Sequence, residues 1–578
     1  MDVIAASPPS RAENQRAAEP AWPWVRWFTP LRCRLILIAL ITLGFLSHLH
    51  YLRNDCPIDL SGDEAQYWDW SRQLDLSYYS KGPLVAYIIR ASTSIFGHEM
   101  WAVRLPALVL ASITSLLTYW LTLRLFRSDR LALGAVLLNH VVPMFVAGSM
   151  LMTIDPPYFL CWGLATAFLA LAVLDNKPWA WAGVGAALGL GTLAKYGMLL
   201  WPVGMLIFLW VDRRRAGVNR LKTAGPWVAI GIGLLFLILP IVWNAQHDWV
   251  TFKHVGAQTG VAKQKKLFDG NLPELVGGQI AAVGVALAPF IVAGIVVAWK
   301  RQRPPTDQGG RGVLTLVSMP NALDNDRESR AIALLMWMGL PLFTLCVVMS
   351  VRSKMQINWP AAAYFSWMIL AAWFIATRLA TRTRWRKWWR GLFWGTVAFG
   401  LAFMPIAHDM SLAYPLMAKF GIEPRRLDLT VKMKGWAQLG QRLDRELKHP
   451  ALDRPFVLCQ DYMQTAETAF YTPGNPITYC AGPYLLDPKR HTQYDIWQNR
   501  RLDQDGLKGR DAIYVGYLDD ERDKDGNLIA AGNLRKAFDT IEELPEEPVV
   551  QRGLQIRRFK LYRCTNFKGM RMAGGASY

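Results

Sequence analysis

Long apolar runs recur through the first 407 residues of the chain and end there. A helix needs about 20 mostly apolar residues to cross the hydrocarbon core of a bilayer. By that criterion the runs predict about eleven membrane-spanning helices in a polytopic α-helical membrane protein. The predicted spans lie near residues 34–52, 103–126, 131–150, 156–174, 179–195, 197–211, 226–244, 275–299, 331–350, 358–377 and 391–407.

The basic residues of these loops fix an orientation. The formal net charge is +20, whereas residues 408–578 hold 26 Lys and Arg against 23 Asp and Glu, so the excess lies in the apolar part. Basic loops stay in the cytoplasm. Five clusters share one side if eleven spans are accepted: Arg32 and Arg34; Arg124, Arg127 and Arg130; Arg213, Arg214, Arg215, Arg220 and Lys222; Lys300, Arg301 and Arg303; Arg378, Arg382, Arg384, Arg386, Lys387 and Arg390. The charge is therefore an orientation signal rather than a basic surface for nucleic acid, and it places the N-terminus inside and residues 408–578 outside.

The chain divides into three parts on this basis. Residues 1–33 are predicted to be a cytoplasmic tail, residues 34–407 the transmembrane domain and residues 408–578 a periplasmic α/β domain of ordinary size. In the last part, β-rich runs at 455–458, 512–515 and 554–556 occur beside helical patterns at 436–447 and 463–471. It carries no motif for a nucleophile or phosphate loop, so packing over the membrane site is favoured over a second active site.

Two cysteines of the outer domain raise the question of a disulfide. Cys459 and Cys480 would face an oxidising compartment, and a bond between them would join the ends of two strands. The sequence does not fix connectivity. The pairing is left open.

The first outer loop, residues 53–102, has a pattern of its own. Apolar residues recur at helical spacing from Glu64 to Leu74 and from Leu84 to Phe96, which predicts two short interfacial helices. Asp63 and Glu64 stand at the start of the first helix, where the helix dipole favours carboxylates. Asp63 is therefore either an ordinary helix cap or a residue with a chemical role.

Other polar residues gather at the same face of the membrane. Asp155 lies at the mouth of the fourth span, where a carboxylate needs a reason to be. Lys81, Lys195 and Lys354 stand at outer membrane edges, against the trend that keeps basic residues inside. Further candidates for lining a donor or acceptor site are Tyr67, Tyr79, Trp243, Asn244, His247, His254, Asn358 and Trp359.

Carboxylates and lysines at a lipid boundary indicate a reaction class. A carboxylate beside a hydroxyl can take its proton in the transition state, and a lysine can neutralise the phosphate of a lipid headgroup. Together they predict attack on a phosphate-linked group that a lipid carries. The alternatives are that the lysines only extend their charged ends to the interface, and that His247 and His254 are satisfied loop histidines. Two histidines without a third ligand leave a divalent metal open.

At these residues the chain resembles the GT-C glycosyltransferases. The resemblance rests on Asp63 with Glu64, on residues 79–83, on Asp155 with Pro156 and on residues 354–360, in this order and on one side of the membrane. It covers roughly residues 34–407. It is strongest to the branch of the protein O-mannosyltransferases and the bacterial lipid A aminoarabinose transferases, although Ser80 and Gly82 replace a Glu and a Pro of the latter.

The resemblance implies an enzyme of the bacterial inner membrane that transfers a sugar from a polyprenyl-phosphate carrier on the periplasmic face. Asp63 matches the acidic residue of the first loop, a base or acceptor-orienting group, and Asp155 matches the aspartate of the second loop. Glu64 is grouped with them as catalytic. Lys81 and Lys354 match lysines near the donor phosphate, and Lys195 is grouped with them.

The partners then expected are the lipid-linked sugar, membrane lipids and an acceptor hydroxyl of lipid A or lipopolysaccharide, another envelope glycan or lipid, or a protein. Two other classes compete with this hypothesis. A transporter or flippase of a lipid-linked glycan would carry intramembrane charges and broken helices near the midplane, whereas here the charges gather at one face. A membrane scaffold with a periplasmic binding domain would not require Asp63, Lys81 and Asp155 together.

Overall fold

The computed structural model describes residues 27–258, 269–302, 322–380, 386–485, 491–518 and 529–570. Most of the predicted N-terminal tail and residues 303–321 lie outside the described residues. The part up to residue 408 is helical. Its helices are α1 (Pro30–His50), α2 (Gly62–Arg72), α3 (Leu84–Phe96), α4 (Met100–Phe126), α5 (Asp129–Val141), α6 (Pro143–Gly148), α7 (Asp155–Leu174), α8 (Ala180–Ala194), α9 (Trp201–Ala216), α10 (Ala224–Phe236), α11 (Ile238–Gln246), α12 (Val250–Gln258), α13 (Leu272–Val283), α14 (Ala288–Lys300), α15 (Ala322–Ser350), α16 (Ala363–Ala380) and α17 (Arg386–His408).

Several of these helices are long and apolar enough to cross a membrane. Within the described ranges, six candidate spans meet that standard, and a bent pair makes up to seven. The six run over Pro30–Asp55, Met100–Phe126, Asp155–Leu174, Ala224–Gln246, Asp326–Ser350 and Lys387–His408. The chain is thus a membrane protein. The figure of about eleven spans stays a prediction, because it also counts shorter helices.

Two predicted spans are broken helices, and two others are short. The run at 275–299 is a pair of helices bent by 100°, with Gly284 at φ +92 in the break. The run at 131–150 is interrupted where Val142 is extended before Pro143, since proline lacks an N–H and disfavours helix in the residue before it. Helices α8 and α9 have only 15 and 16 residues. The predicted separation between them is confirmed, because Lys195 is extended.

The two short helices of the first outer loop are confirmed as α2 and α3. Helix α2 begins with a capping box, in which the Ser61 side chain accepts from the Glu64 N–H and the Glu64 carboxylate accepts from the Ser61 N–H. Such a box satisfies two backbone donors that a helix start leaves open. Helix α3 packs its apolar face, including Val85 and Ile89, into the core beneath the loop.

Residues beyond 408 form an α/β part. A five-stranded sheet has the order β2-β1-β3-β7-β4, in which β1 pairs in parallel with β2 and β3, and β7 runs antiparallel to β3 and β4. A separate hairpin is formed by β5 and β6. The strands are β1 (Phe456–Cys459), β2 (Thr478–Cys480), β3 (Ala512–Val515), β4 (Thr540–Glu543), β5 (Glu547–Gln551), β6 (Leu554–Phe559) and β7 (Leu561–Thr565). The helices are α18 (Tyr414–Lys419), α19 (Pro424–Leu427), α20 (Trp436–Leu447), α21 (Tyr462–Tyr471), α22 (Gly482–Leu485), α23 (Gln493–Ile496) and α24 (Ile529–Ala537).

Cys459 and Cys480 are direct partners in the register of β1 and β2. Both are buried and free, so the structure contains no bond between them. The Cys459 Sγ instead lies 3.2 Å from the Thr468 hydroxyl. In this structure Cys459 and Cys480 are therefore two separate thiols, and the disulfide that the sequence left open is not formed.

The α/β part packs against α2 through a buried polar cluster. Arg500 donates to Asp69 over 2.9 Å, and the Tyr494 hydroxyl donates to the other oxygen of the same carboxylate over 2.9 Å. Both charged side chains are at most 1% exposed. Helix α21 approaches α2 so closely that a Cβ added to Gly62 would lie 2.6 Å from the Met463 side chain. This contact brings the α/β part to the residue beside Asp63.

Candidate active site

Asp63 lies in the first turn of α2, next to the capping box. Its carboxylate makes no hydrogen bond or ion pair with any residue that the structure describes. The side chain keeps an open face, although protein surrounds it on most sides. Burial raises the pKa of Asp63, the carboxylates of Asp155 and Glu64 add to the rise, and the positive charge of Lys81 opposes it. Asp63 is thus an available carboxylate rather than a helix cap.

Glu64 has a different environment from its neighbour. It is fully buried and accepts from Arg104 Nε over 3.0 Å and from Arg104 Nη2 over 2.9 Å. The Met152 N–H donates to the same carboxylate over 2.9 Å, and the Ser61 N–H over 3.0 Å. Four donors leave no room for substrate, so this environment is structural, whereas the sequence grouped Glu64 with catalytic carboxylates. It joins α2 to α4 and to the turn before α7.

Asp155 is the centre of a second group. Lys195 donates to its Oδ1 over 2.7 Å, and the Asn358 amide donates to its Oδ2 over 2.8 Å. The Lys195 ammonium also lies 5.4 Å from the centre of the Tyr158 ring. The structure therefore brings together three predicted residues from three separate loops. The carboxylate and Lys195 are partly exposed, at 28% and 15%.

Lys81 sits on a loop that approaches the end of α8. A Cβ added to Gly82 would lie 2.1 Å from the Leu193 carbonyl oxygen, so only glycine permits this approach. Burial lowers the pKa of Lys81, as does the charge of Lys195, while Asp63 and Asp155 raise it. Among the described residues no hydrogen bond or ion pair of its ammonium occurs. Lys81 is therefore a largely buried cation whose ammonium contacts no carboxylate of the residues that the structure describes.

The aromatic candidates divide by burial. Tyr67 is 3% exposed, and burial with the nearby charges of Asp63 and Asp155 raises the pKa of its hydroxyl. Tyr79 packs its ring against His254 with centroids 4.7 Å apart. Burial and the charge of Lys81 lower the pKa of His254 to about 4. His254 is therefore neutral near pH 7 and lies close to the lysine.

Trp243 and Asn244 hold the loop that precedes Lys81. The Trp243 indole donates to Asp75 over 2.7 Å, and Asn244 is fully buried with its amide bonded to Pro240 and Thr251. His247 stacks on Trp243 at 4.1 Å. The polar groups of these side chains bind partners within the protein, so the side chains position the loop and do not line an open cavity.

Residues 354–359 lie in the connection between α15 and α16. Asn271 forms two hydrogen bonds with the Met355 backbone, of 2.8 and 3.0 Å, which fix this turn. Lys354 is exposed, and within the described ranges it makes no ion pair with Asp155, the carboxylate that binds Lys195. Trp359 is partly buried against the main core. Of the predicted residues in this described segment, Asn358 is the one that contacts Asp155.

No group of three His, Cys, Asp or Glu residues close enough to hold a metal ion occurs among the residues described. His247 and His254 lie on different partners, Trp243 and Tyr79.

Sequence reasoning missed two buried charged residues near the site. Arg104 binds Glu64, as described above. Glu467 on α21 is 3% exposed; burial and the carboxylates of Asp461, Asp59 and Asp63 raise its pKa, while Arg557 lowers it. An arginine inside an apolar run is a signal that the sequence offers for Arg104. Glu467 has no such signal, because it lies in an ordinary helical pattern.

Comparisons with known proteins identify similar chains. A family model described as dolichyl-phosphate-mannose-protein mannosyltransferase matches residues 80–243. The lipid A galacturonosyltransferase RgtD of Rhizobium johnstonii is 27% identical over 396 residues, which are 66% of this chain and 71% of that protein. The undecaprenyl phosphate-alpha-4-amino-4-deoxy-L-arabinose arabinosyl transferase 2 of Pseudomonas fluorescens is 30% identical over 189 residues, 31% of each chain.

A solved structure shares the fold. The crystal structure of ArnT from Cupriavidus metallidurans bound to undecaprenyl phosphate superimposes with a TM-score of 0.55 and 15% identity, over 91% of this chain and 97% of that chain. These findings confirm the resemblance to GT-C glycosyltransferases that the loop residues predict.

Proposed function

We propose that this chain, a glycosyltransferase of the GT-C type, moves a sugar from a polyprenyl-phosphate carrier to an acceptor hydroxyl on the periplasmic face of the inner membrane. The observation that carries the proposal is that an open carboxylate, Asp63, lies within electrostatic reach of Lys81, while neither side chain makes an ion pair with a described residue. A group transfer needs a base for the acceptor and a positive charge for the leaving phosphate. Asp63 therefore has the role of the base, and Lys81 supplies the positive charge for the phosphate.

In the proposed mechanism the acceptor hydroxyl attacks the anomeric carbon from the face opposite the phosphate. Asp63 takes the hydroxyl proton as the new carbon–oxygen bond forms. The bond between the anomeric carbon and the phosphate oxygen breaks, and its electron pair leaves with polyprenyl phosphate. Lys81 stabilises the phosphate charge in a preorganised way. One displacement of this kind inverts the anomeric centre.

Asp155 has a positioning role in the proposal. Its two oxygens are bound by Lys195 and Asn358, at 2.7 and 2.8 Å. The carboxylate therefore fixes the Lys195 ammonium beside Lys81, where a second positive charge can meet the same phosphate. We assign Glu64 to support of this arrangement, because its bond to the Met152 N–H ties the start of α2 to the turn before Asp155.

The donor and acceptor classes draw on the relatives. A lipid carrier is required outside the cytoplasm because nucleotide sugars are not available there. Undecaprenyl phosphate is the ligand named for the solved ArnT structure, and lipid A is named for RgtD. We infer an undecaprenyl-type donor and an acceptor in lipid A or a related envelope lipid or glycan. A mass comparison of these molecules with and without the gene would identify both through a difference of one sugar.

The proposal also includes the topology. The cytoplasmic tail, the transmembrane catalytic domain up to residue 407 and the periplasmic α/β domain follow the sidedness of the basic clusters. In this arrangement α21 covers the site from the periplasmic side. The acceptor then approaches between the membrane and the α/β domain.

Replacing Lys81 by Gln is expected to raise the KM for the donor by about tenfold or more. Hydrogen bonds to a charged group contribute about 1.5–3 kcal/mol, and 1.4 kcal/mol is a factor of ten. Inhibition by free polyprenyl phosphate should weaken by a similar factor. The measurement is initial-rate kinetics of purified enzyme over donor concentration. Lys419→Gln, on an exposed lysine of α18, is the matched control, and an unchanged donor KM in the Lys81 variant would contradict the assignment.

The pH–rate profile should show an acid limb that belongs to Asp63. Asp63 can accept a proton only in its ionised form, so kcat/KM rises with pH as Asp63 ionises. Its raised pKa places this acid limb at a higher pH than that of an ordinary aspartate. Lys81 lowers the pKa of Asp63. Lys81→Gln should therefore move the limb to higher pH, whereas Lys419→Gln should leave it in place. A limb that does not move would assign the titration to another group.

A further inference from the structure

Helix α21 of the α/β part runs across the start of α2. At one end of α21 the Tyr471 hydroxyl accepts from the Leu60 N–H over 2.6 Å. Near its other end a Cβ added to Gly62 would lie 2.6 Å from the Met463 side chain. Residues four positions apart lie on one face of a helix, so Glu467, midway between Met463 and Tyr471, faces the same segment. That segment leads directly into the first turn of α2, which carries the proposed base.

Two polar groups of α21 lack a protein partner. Glu467 is 3% exposed, and its carboxylate makes no hydrogen bond or ion pair with a residue that the structure describes. Gln464 Oε1, one turn earlier, is buried and likewise has no hydrogen-bond partner in the described ranges. Both groups can accept hydrogen bonds, and side chains at this spacing have Cβ atoms about 5–6 Å apart. Because a buried polar group without a partner costs free energy, both positions suit a ligand that supplies donors.

A cation lies near these two acceptors. Arg557 on β6 stacks on Trp436 and Phe559, with its Cζ atom 4.4 and 4.3 Å from the two ring centroids. Its Nη1 donates to the Lys432 carbonyl over 3.0 Å. Arg557 is within electrostatic reach of Glu467, although the two form no ion pair. A guanidinium group carries five donors, so Arg557 retains donors for a ligand that also has acceptors.

This combination of acceptors and donors fits the hydroxyls of a sugar. A hydroxyl donates one hydrogen bond and accepts others. Neighbouring hydroxyls of one ring can therefore donate to Glu467 and Gln464 and accept from Arg557. A cationic ligand would meet the charge of Arg557, and an anionic ligand would meet the carboxylates of Glu467 and Asp63, which lie within electrostatic reach of each other. A neutral ring with several hydroxyls avoids both repulsions.

We propose that Glu467, Gln464 and Arg557 form a subsite for a neutral sugar ring of the acceptor. The ring presents a free hydroxyl to Asp63. This inference rests on the proposed transfer reaction and deepens it, because it assigns the attacking hydroxyl to a sugar of an envelope glycan or glycolipid. A serine or threonine of a protein offers one hydroxyl and would leave most of these groups without partners. The α/β domain then selects the acceptor, while the membrane part binds the donor.

The test measures binding to the full-length protein in detergent by native mass spectrometry. The probe is dephosphorylated lipid A, a neutral acylated disaccharide, and diacylglycerol is the comparison lipid without a sugar. The variants are Glu467→Gln and Gln464→Met, which keep the approximate size of each side chain and remove the charge or the amide. Glu543→Gln, on an exposed glutamate of β4, is the matched control. Undecaprenyl phosphate is titrated against each protein to check that the donor site is intact.

We expect dephosphorylated lipid A to bind Glu467→Gln about tenfold more weakly than the wild type, with a smaller loss for Gln464→Met and no change in the control. Binding of undecaprenyl phosphate should be equal in all four proteins, and diacylglycerol should bind weakly to all of them. Unchanged binding of the disaccharide to both variants would overturn this inference alone. Equal weakening of undecaprenyl phosphate in Glu467→Gln would also overturn it, by assigning Glu467 to the structure of the whole site. A wild type that does not bind undecaprenyl phosphate would overturn the proposed function, and this inference with it.

Discussion

Replacing Asp63 by Asn is expected to lower kcat for sugar transfer by about 10²–10⁴-fold, the usual contribution of a positioned general base. The amide has the same shape but cannot accept the acceptor's proton. Donor binding should change little, because the phosphate contacts are assigned to Lys81. The measurement is the rate of transfer by purified enzyme with a polyprenyl-phosphate sugar and an envelope lipid acceptor.

The structure predicts that this variant folds normally. The Asp63 carboxylate has no hydrogen bond or ion pair among the described residues, and the capping box of α2 uses Ser61 and Glu64 instead. Asp248→Asn is the matched control, because Asp248 is exposed at φ +52, a conformation that asparagine also tolerates. Undiminished transfer by the Asp63 variant would refute the mechanism. Loss of transfer in both variants would point to damage of the outer loops.

Glu64→Gln is expected to destabilise the protein by about 3–5 kcal/mol, the cost of removing one partner of a buried ion pair. Glu64 and Arg104 are both fully buried. The neutral amide leaves the Arg104 guanidinium in a low-dielectric environment without its counter-charge. The change should appear as a lower midpoint of thermal unfolding in detergent, followed by size-exclusion chromatography.

The matched control is Glu99→Gln, an exposed glutamate at the start of α4 that makes no capping bond. Its midpoint should remain that of the wild type. At temperatures where the Glu64 variant is still folded, its transfer rate should fall far less than that of the Asp63 variant. An unchanged midpoint together with abolished transfer would return Glu64 to the catalytic group.

Local signals in the sequence predicted the elements that carry the site. The helical period and the capping residues of α2 act within a few positions, and the short segment at Lys195 interrupts an apolar run visibly. The helix break at Pro143 has an equally local cause, but a count of apolar residues does not detect a proline that interrupts a helix. The bend between α13 and α14 at Gly284 is hidden for the same reason.

Contacts between distant residues decided what the sequence did not show. Asp63 and Glu64 are adjacent and chemically alike. The Glu64 carboxylate nevertheless accepts hydrogen bonds from Arg104 and Met152, which lie 40 and 88 positions away. Asn358 reaches Asp155 across 203 positions. Trp243 and Asn244 have the composition of a binding loop, but their partners turn them inward. Residue type predicts candidates, whereas only the tertiary contacts separate open groups from satisfied ones.

The buried ion pair between Asp69 and Arg500 limits when the first loop can complete its packing during translation. The two residues are 431 positions apart in the chain. At about 5–20 residues per second, the ribosome needs about 20–90 s to reach Arg500 after Asp69 has been made. During that interval Asp69 lacks Arg500, and Arg72 is the arginine already made that contacts its carboxylate. The loop that carries Asp63 can therefore reach its final packing only after translation has passed residue 500, and a nascent chain arrested earlier lacks the contact between Asp69 and Arg500.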